Sequence, residues 1–424
     1  MKEGVEIFEQ EPGKENQFRE DLFAMLRTIN EILLAVTGYE YMSLPEATKP
    51  NPTELKEVCD RLQKSLDQED IKQKYTNFFL VGIRNQIEIV RLSLLFQEKN
   101  WCEEYENKQR EVLKQVVENV CEAVFGERSF PETQSLDQMR TEAHAVLDAD
   151  TEYPTDSSLS IQERVLQWRT KQPSVKIEDE EYYSPIYEYL YAKIKESAQK
   201  WGVEGEVLEK VTLKVIYDSQ KPFSGLSSYD NSTNTLLFTI GNRKPSNHAE
   251  ATLLIAHELF PGHGLDSLIQ TSVIQKGIIQ PEEQYDGLLG SPTTVFLEGV
   301  ALTQAMRWTN EDGEKLSFTK KQVHIAEVGP RTVHRLRYEM LKSYIEGGME
   351  KVMSLKESFA GFFTEAFLNT QITFFEQSLK EGDEKNPNYI LLFYYTLYYL
   401  GIEKIRQLGF DDQRMRALLY SSTE

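Results

Sequence analysis

From Phe18 to Leu34 the apolar residues recur at threes and fours, with charges between them. That spacing puts them on one stripe of an α-helix. Ile71 to Phe96 and Trp101 to Val124 repeat the pattern. A helical protein is therefore the frame into which everything else must fit. Two short segments depart from it. VTLKVIYD, Val211 to Asp218, alternates apolar and polar residues as a half-buried strand does. NTLLFTIG, Asn234 to Gly241, is rich in β-formers, and YDNSTN ahead of it is turn chemistry. The expectation is a mainly α protein with one small antiparallel β element. A tyrosine-rich helix is expected from Asp179 to Trp201, after the polar connector Thr151 to Ser160. Helices resume near Asn247. A boundary is expected near residue 200, between an N-terminal helical lobe, 1–200, and a second part, 201–424.

The chain has 424 residues, enough for a large core and two lobes. Its net charge of -21 argues against nucleic acid, since a phosphate-binding surface needs clustered Lys and Arg. No apolar run is long enough to span a membrane, and MKEGVEIFEQEPGKENQ lacks an apolar signal core. The three cysteines, Cys59, Cys102 and Cys121, form no CxxC pair. An odd, sparse set fits a reducing compartment, so a cytoplasmic location is expected.

HELFPGH, His257 to His263, is the sharpest local feature. It follows an apolar run, ATLLIA, that would bury its helix. On a regular helix, positions six apart lie about 240° apart and cannot share one ion. Pro261 removes a backbone donor and would clash with the carbonyl of His257. Gly262 accepts backbone angles that other residues avoid. The helix is therefore expected to break or bulge here. If the bulge absorbs two residues, His263 returns to the face of His257. The other reading is a helix end with two unrelated histidines. A third ligand favours the metal site. Two His and a Glu form a standard zinc set. TTVFLEGVALTQAM, Thr293 to Met306, carries a lone acid, Glu298, among apolar residues.

HELFPGH followed by FLEGVA resembles the paired signature of the DUF885 proteins, HExxPGHxxQ and EGWA, and through them the gluzincin type of zinc metallopeptidase. The likeness is concentrated in Ala249 to Ala305. Tyr398 to Gly401, YYLG, resembles the family's late Tyr-x-x-Gly. The resemblance implies a metallopeptidase-like helical fold with the β element beside the active-site helix. It implies Zn2+ held by His257, His263 and Glu298, with Glu258 as general base toward a metal-activated water. The strand at Leu236 to Ile240 would pair with an extended substrate. The sequence departs from the family at Asp266, where Gln is usual, at Val300, where Trp is usual, and at Thr303 and Ala305. GPRTVHRLRYEM, Gly329 to Met340, stands where an Arg-…-Asp-x-Gly-x-His stretch is expected.

Further candidates surround this set. Asp266, three residues past His263, is placed to accept from a ligand imidazole or to lie in solvent. Arg331 and His334 offer an oxyanion donor, a substrate-carboxylate partner or merely a charged helix face. Tyr398 is the best-placed phenol for an oxyanion, and Gly401 would let its helix pack closely against the active-site helix. His248 and Glu250 read as a helix start capped by Ser246 or Asn247. The expected function is zinc-dependent hydrolysis of an amide in a small peptide or peptide-like substrate. The alternatives are a zinc enzyme for a non-peptide metabolite in a biosynthetic pathway, and a scaffold that kept the fold without turnover.

Overall fold

A computed structural model describes residues 12–37, 50–99, 102–173, 185–192, 203, 211–218, 220, 225–230, 233–241, 247–259, 262–285, 290–308, 320–380, 382–383, 386–387, 397–409 and 411–419. The first half is helical: α1 (Pro12–Thr37), α2 (Pro52–Leu66), α3 (Glu69–Lys74), α4 (Asn77–Lys99), α5 (Glu103–Phe125), α6 (Leu136–Asp148) and α7 (Ile161–Lys171), of which the runs expected at Phe18–Leu34, Ile71–Phe96 and Trp101–Val124 fall in α1, α3 with α4, and α5. The run predicted from Ile71 to Phe96 is broken in two. Glu283 accepts from the Thr76 backbone N–H at 3.1 Å and from its hydroxyl, so a new helix starts there. Of the tyrosine-rich segment, residues 185–192 are helical and the remainder lies outside the described residues.

The β element is a three-stranded mixed sheet, ordered β1 (Thr212–Tyr217), β3 (Thr235–Ile240), β2 (Gly225–Asp230). This corrects the antiparallel expectation. The two segments read as strands pair in parallel, Thr212 opposite Thr235 and Tyr217 opposite Ile240. The turn ahead of β3 does make an antiparallel hairpin, with Asn234 at φ 52°, but its other arm is GLSSYD. Glycine and serine hid that strand, because β-propensity rests on branched and aromatic residues. Both edges of β3 are consequently taken, so it has none left for a substrate strand. The strand that neighbours the HELFPGH segment is β2.

The second half continues with α8 (His248–Glu258), α9 (His263–Gln275), α10 (Pro292–Trp308), α11 (Lys320–Ser358), α12 (Glu365–Lys380), α13 (Tyr398–Gln407) and α14 (Asp412–Leu419). One buried apolar cluster runs from Phe18 to Leu419. Polar ties also join the halves. Asn85 Nδ2 donates to Gly290 O at 2.8 Å, and Tyr344 Oη to Gln109 Oε1 at 2.9 Å. No helix among the described residues is long and apolar enough to cross a membrane. The three cysteines are unpaired, with Cys59 and Cys121 buried.

α10 and α13 cross closely, and two glycines permit it. A Cβ built on Gly401 would fall 2.0 Å from Val295 O, and one on Gly299 would fall 2.3 Å from the Gly401 carbonyl carbon. The backbones meet directly, so Gly401 does permit a close approach, but to α10, which carries Glu298, and not to the HELFPGH helix. Gly401→Ala is therefore expected to force the helices apart and to destabilise the protein by about 1–3 kcal/mol or more. A urea midpoint equal to that of the parent would show that the crossing has slack.

Candidate metal centre

Asn247 starts α8. Its side chain accepts the Glu250 N–H at 2.9 Å, as expected of an N-cap. Glu250 pairs with Arg169 of α7, which ties the start of α8 to the first half. Ile255 and Ala256 are buried, so His257 and Glu258 reach the end of α8 with that helix anchored in the core.

The helix then breaks. α8 ends at Glu258 and α9 begins at His263. Phe260 and Pro261 lie outside the described residues. Gly262 N–H donates to Ala256 O at 2.8 Å, and Leu265 N–H reaches Leu259 O at 3.1 Å. These bonds span six residues instead of four, so the chain folds back on the end of α8 before winding again. A Cβ on Gly262 would lie 1.7 Å from His257 O, and one on Gly264 would lie 2.4 Å from Leu259 O. The backbone passes where no side chain fits. The consequence is the one that the six-residue spacing requires: the His257 and His263 rings stand 4.8 Å apart, nearly perpendicular at 82°.

Glu298 arrives from α10. Ser291 Oγ caps that helix by accepting the Thr293 N–H at 3.0 Å, with Pro292 in the first turn. Val295, Phe296, Val300 and Ala301 bury it, and Glu298 is only 4% exposed. One of its oxygens lies 3.6 Å from His257 Nε2 and the other 3.4 Å from His263 Nε2. The Tyr398 hydroxyl also engages this carboxylate. Burial by itself would raise the Glu298 pKa. The two imidazoles and the phenol outweigh it and hold the group down to about 2. Burial likewise disfavours a charged His263, yet Glu298, Asp266 and Glu258 raise its pKa well above the ordinary value.

The cluster could hold a metal ion. Two ligands each about 2.0–2.2 Å from one tetrahedral ion stand about 3.3–3.6 Å apart. The two Glu298–imidazole separations fall in that interval and are long for hydrogen bonds. Glu298 Oε2 is buried without a hydrogen-bond partner among the described residues. Glu258 is the other carboxylate in range, with its oxygen 3.8 Å from His257 Nε2 and its donor atom within 4.8 Å of both imidazoles. It is 17% exposed where Glu298 is 5%. Glu298 thus forms the floor of the cluster, while Glu258 lies on its more open side.

Asp266 is buried, with Oδ2 3.6 Å from His263 Nδ1, on the opposite side of the ring from Glu298. Burial pushes its pKa up to about 6, against the pull of His263. The solvated alternative for this residue is therefore excluded. His334 of α11 stands behind Tyr398, with ring centroids 5.6 Å apart. Arg331 is held elsewhere: its guanidinium spans Glu142, in the middle of the first half's α6, and Gln134, just ahead of that helix. Gly299 was not singled out by the sequence reading. A lone glycine in the middle of a helical run, next to Glu298, is a signal that could have found it.

No family model matches the chain, and no curated protein matches it. Among solved structures, one described as a "putative lipoprotein" from Colwellia psychrerythraea aligns over 93% of this chain and 67% of its own, at 12% identity and a TM-score of 0.41.

Gly262→Ala is the test of the junction. With a methyl group placed on His257 O, the first turn of α9 must move, at a cost of about 2–4 kcal/mol. The thermal midpoint should drop, and the amides at the start of α9 should lose protection in hydrogen exchange. A parent-like midpoint with parent-like protection would mean that the junction tolerates a side chain.

Proposed function

We propose that this protein is a zinc-dependent hydrolase related to the DUF885 and gluzincin type, acting on an amide bond in a small peptide or peptide-like molecule. The observation that carries the reading is the pair of imidazole Nε2 atoms set against the two oxygens of a buried glutamate, at 3.4 and 3.6 Å. His257, His263 and Glu298 would hold the ion. When bound, zinc supplies a Lewis acid for a carbonyl oxygen and lowers the pKa of a water toward neutrality.

The chain's own groups take the remaining roles. Glu258, on the open side, accepts a proton from the attacking water and returns it to the leaving amine. Asp266 orients the His263 ring and favours presentation of its Nε2. Tyr398 braces Glu298, and His334 packs behind Tyr398. The buried Asp266, where the related family has Gln, supports a substrate that differs from that family's, and a non-peptide amide is the second reading.

Protein purified without added metal is expected to carry about one zinc per chain. His263→Ala should lose most of it. Unchanged zinc content in that variant would remove His263 from the site.

Glu258→Gln separates binding from chemistry. Zinc should stay, while hydrolysis of a fluorogenic peptide panel falls by a factor on the order of 10² or more. Loss of zinc in this variant would make Glu258 a ligand, and turnover near the parent's would sink it as the base. If the unmodified protein binds zinc and cleaves no member of the panel, the non-peptide reading takes over.

A further inference from the structure

Arg331 lies four residues after Glu327 on α11. At that spacing a carboxylate and a guanidinium share a helix face and ordinarily pair. They do not pair here. Arg331 reaches across to the first half, its Nη1 and Nη2 each 3.2 Å from an oxygen of Glu142 and Nη2 2.6 Å from Gln134 Oε1. The same Gln134 oxygen lies 3.4 Å from Arg406 Nη1 on α13. Glu403 stands 4.0 Å from Arg406. Glu327 faces Arg331, Arg406 and Glu142, yet no hydrogen bond or ion pair joins it to a described residue. Two guanidiniums therefore serve three carboxylates, of which Glu142 is 45% open to solvent. Glu327 is the one left over.

We propose that Arg331 is a partner-exchange switch: it clasps α6 through Glu142 and Gln134 while Glu327 carries a proton, and turns to Glu327 when that proton leaves. The exchange needs no large movement, because the second partner is already one turn away on the same helix. Its effect crosses the molecule. α6 packs on α11, which carries His334, and α11 packs on α13, which carries Tyr398. Releasing α6 loosens the wall behind Glu298. The clasp itself does not depend on the proposed zinc site or its chemistry.

The pH window follows from the geometry and the charge balance. Burial pushes the Glu327 pKa up, to about 7, while Arg331 and Arg406 pull it down and Glu142 adds to the rise. The folded chain then binds more protons than the unfolded chain between the ordinary value of 4.5 and about 7. The clasped state is fully favoured below that interval and weakens as pH rises through it. Other charges near this helix are otherwise engaged. Arg169 of α7 approaches Gly329 but pairs with Glu250. His144 of α6 faces Arg164 and Asp148, and burial with Arg164 lowers its pKa below 6.5, so it is neutral at alkaline pH.

Hydrogen exchange read by mass spectrometry tests the switch on the full chain at pH 4.5 and pH 8.5, comparing the parent with Glu327→Gln and Glu142→Gln. At pH 8.5 the peptides of α6 should exchange faster in the parent than in Glu327→Gln, by up to about 10-fold for each unit between 4.5 and about 7 and by no more above that. At pH 4.5 the two should match. Glu142→Gln should exchange fast in α6 at both values. Equal α6 protection in the parent and Glu327→Gln at pH 8.5 would overturn the switch. So would parent-like protection of Glu142→Gln at pH 4.5, or a difference spread evenly over all helices, since the clasp holds α6 first.

Discussion

A carboxylate buried in an apolar helix is costly unless something charged or hydrogen-bonding meets it. Glu298 is that carboxylate, and much of the second half is arranged around it. Its partners come from three different elements: His257 at the end of α8, His263 at the start of α9 and Tyr398 at the start of α13. Each of these must approach closely, and side chains stand in the way of close approach. At both places where the approach is tightest the chain has glycine, Gly262 at the α8–α9 junction and the Gly299–Gly401 pair at the helix crossing. The two glycine sites and the buried acid are one solution to one problem.

The cluster is also lopsided. Glu298 lies at the closed end, while His257, Glu258 and His263 keep between 17% and 27% of their side-chain surface open. Under the proposed reading, the acid at the closed end would hold an ion and the more open acid would move a proton. Asp266 completes the arrangement by occupying the far side of the His263 ring.

The first half braces this assembly from outside. Arg169 holds Glu250 at the start of α8, Thr76 and Glu283 join α4 to the 3₁₀ turn Pro281–Tyr285, and Glu142 holds Arg331 of α11. The N-terminal helices touch the elements that carry the candidate site without supplying any of its donor atoms. Strain or charge introduced in α6 or α7 would be felt first at α8 and α11.

What the sequence by itself determined were features that nearest neighbours along the chain decide. The Asn247 cap, the break after Glu258 and the helical character of the long runs follow from local backbone preferences, which act over a turn or less. The isolation of Glu298 among apolar residues was likewise visible, since periodicity marks the buried face. Tertiary structure alone decided which surfaces meet. The parallel pairing of β1 with β3 required the inconspicuous GLSSYD to take the hairpin position. Asp266 became a buried neighbour of His263 only because the chain folds back at Gly262. Arg331, four residues from a carboxylate of its own helix, binds one that is 189 positions away. Pairings over such separations depend on the packing of whole helices, and no local preference encodes them.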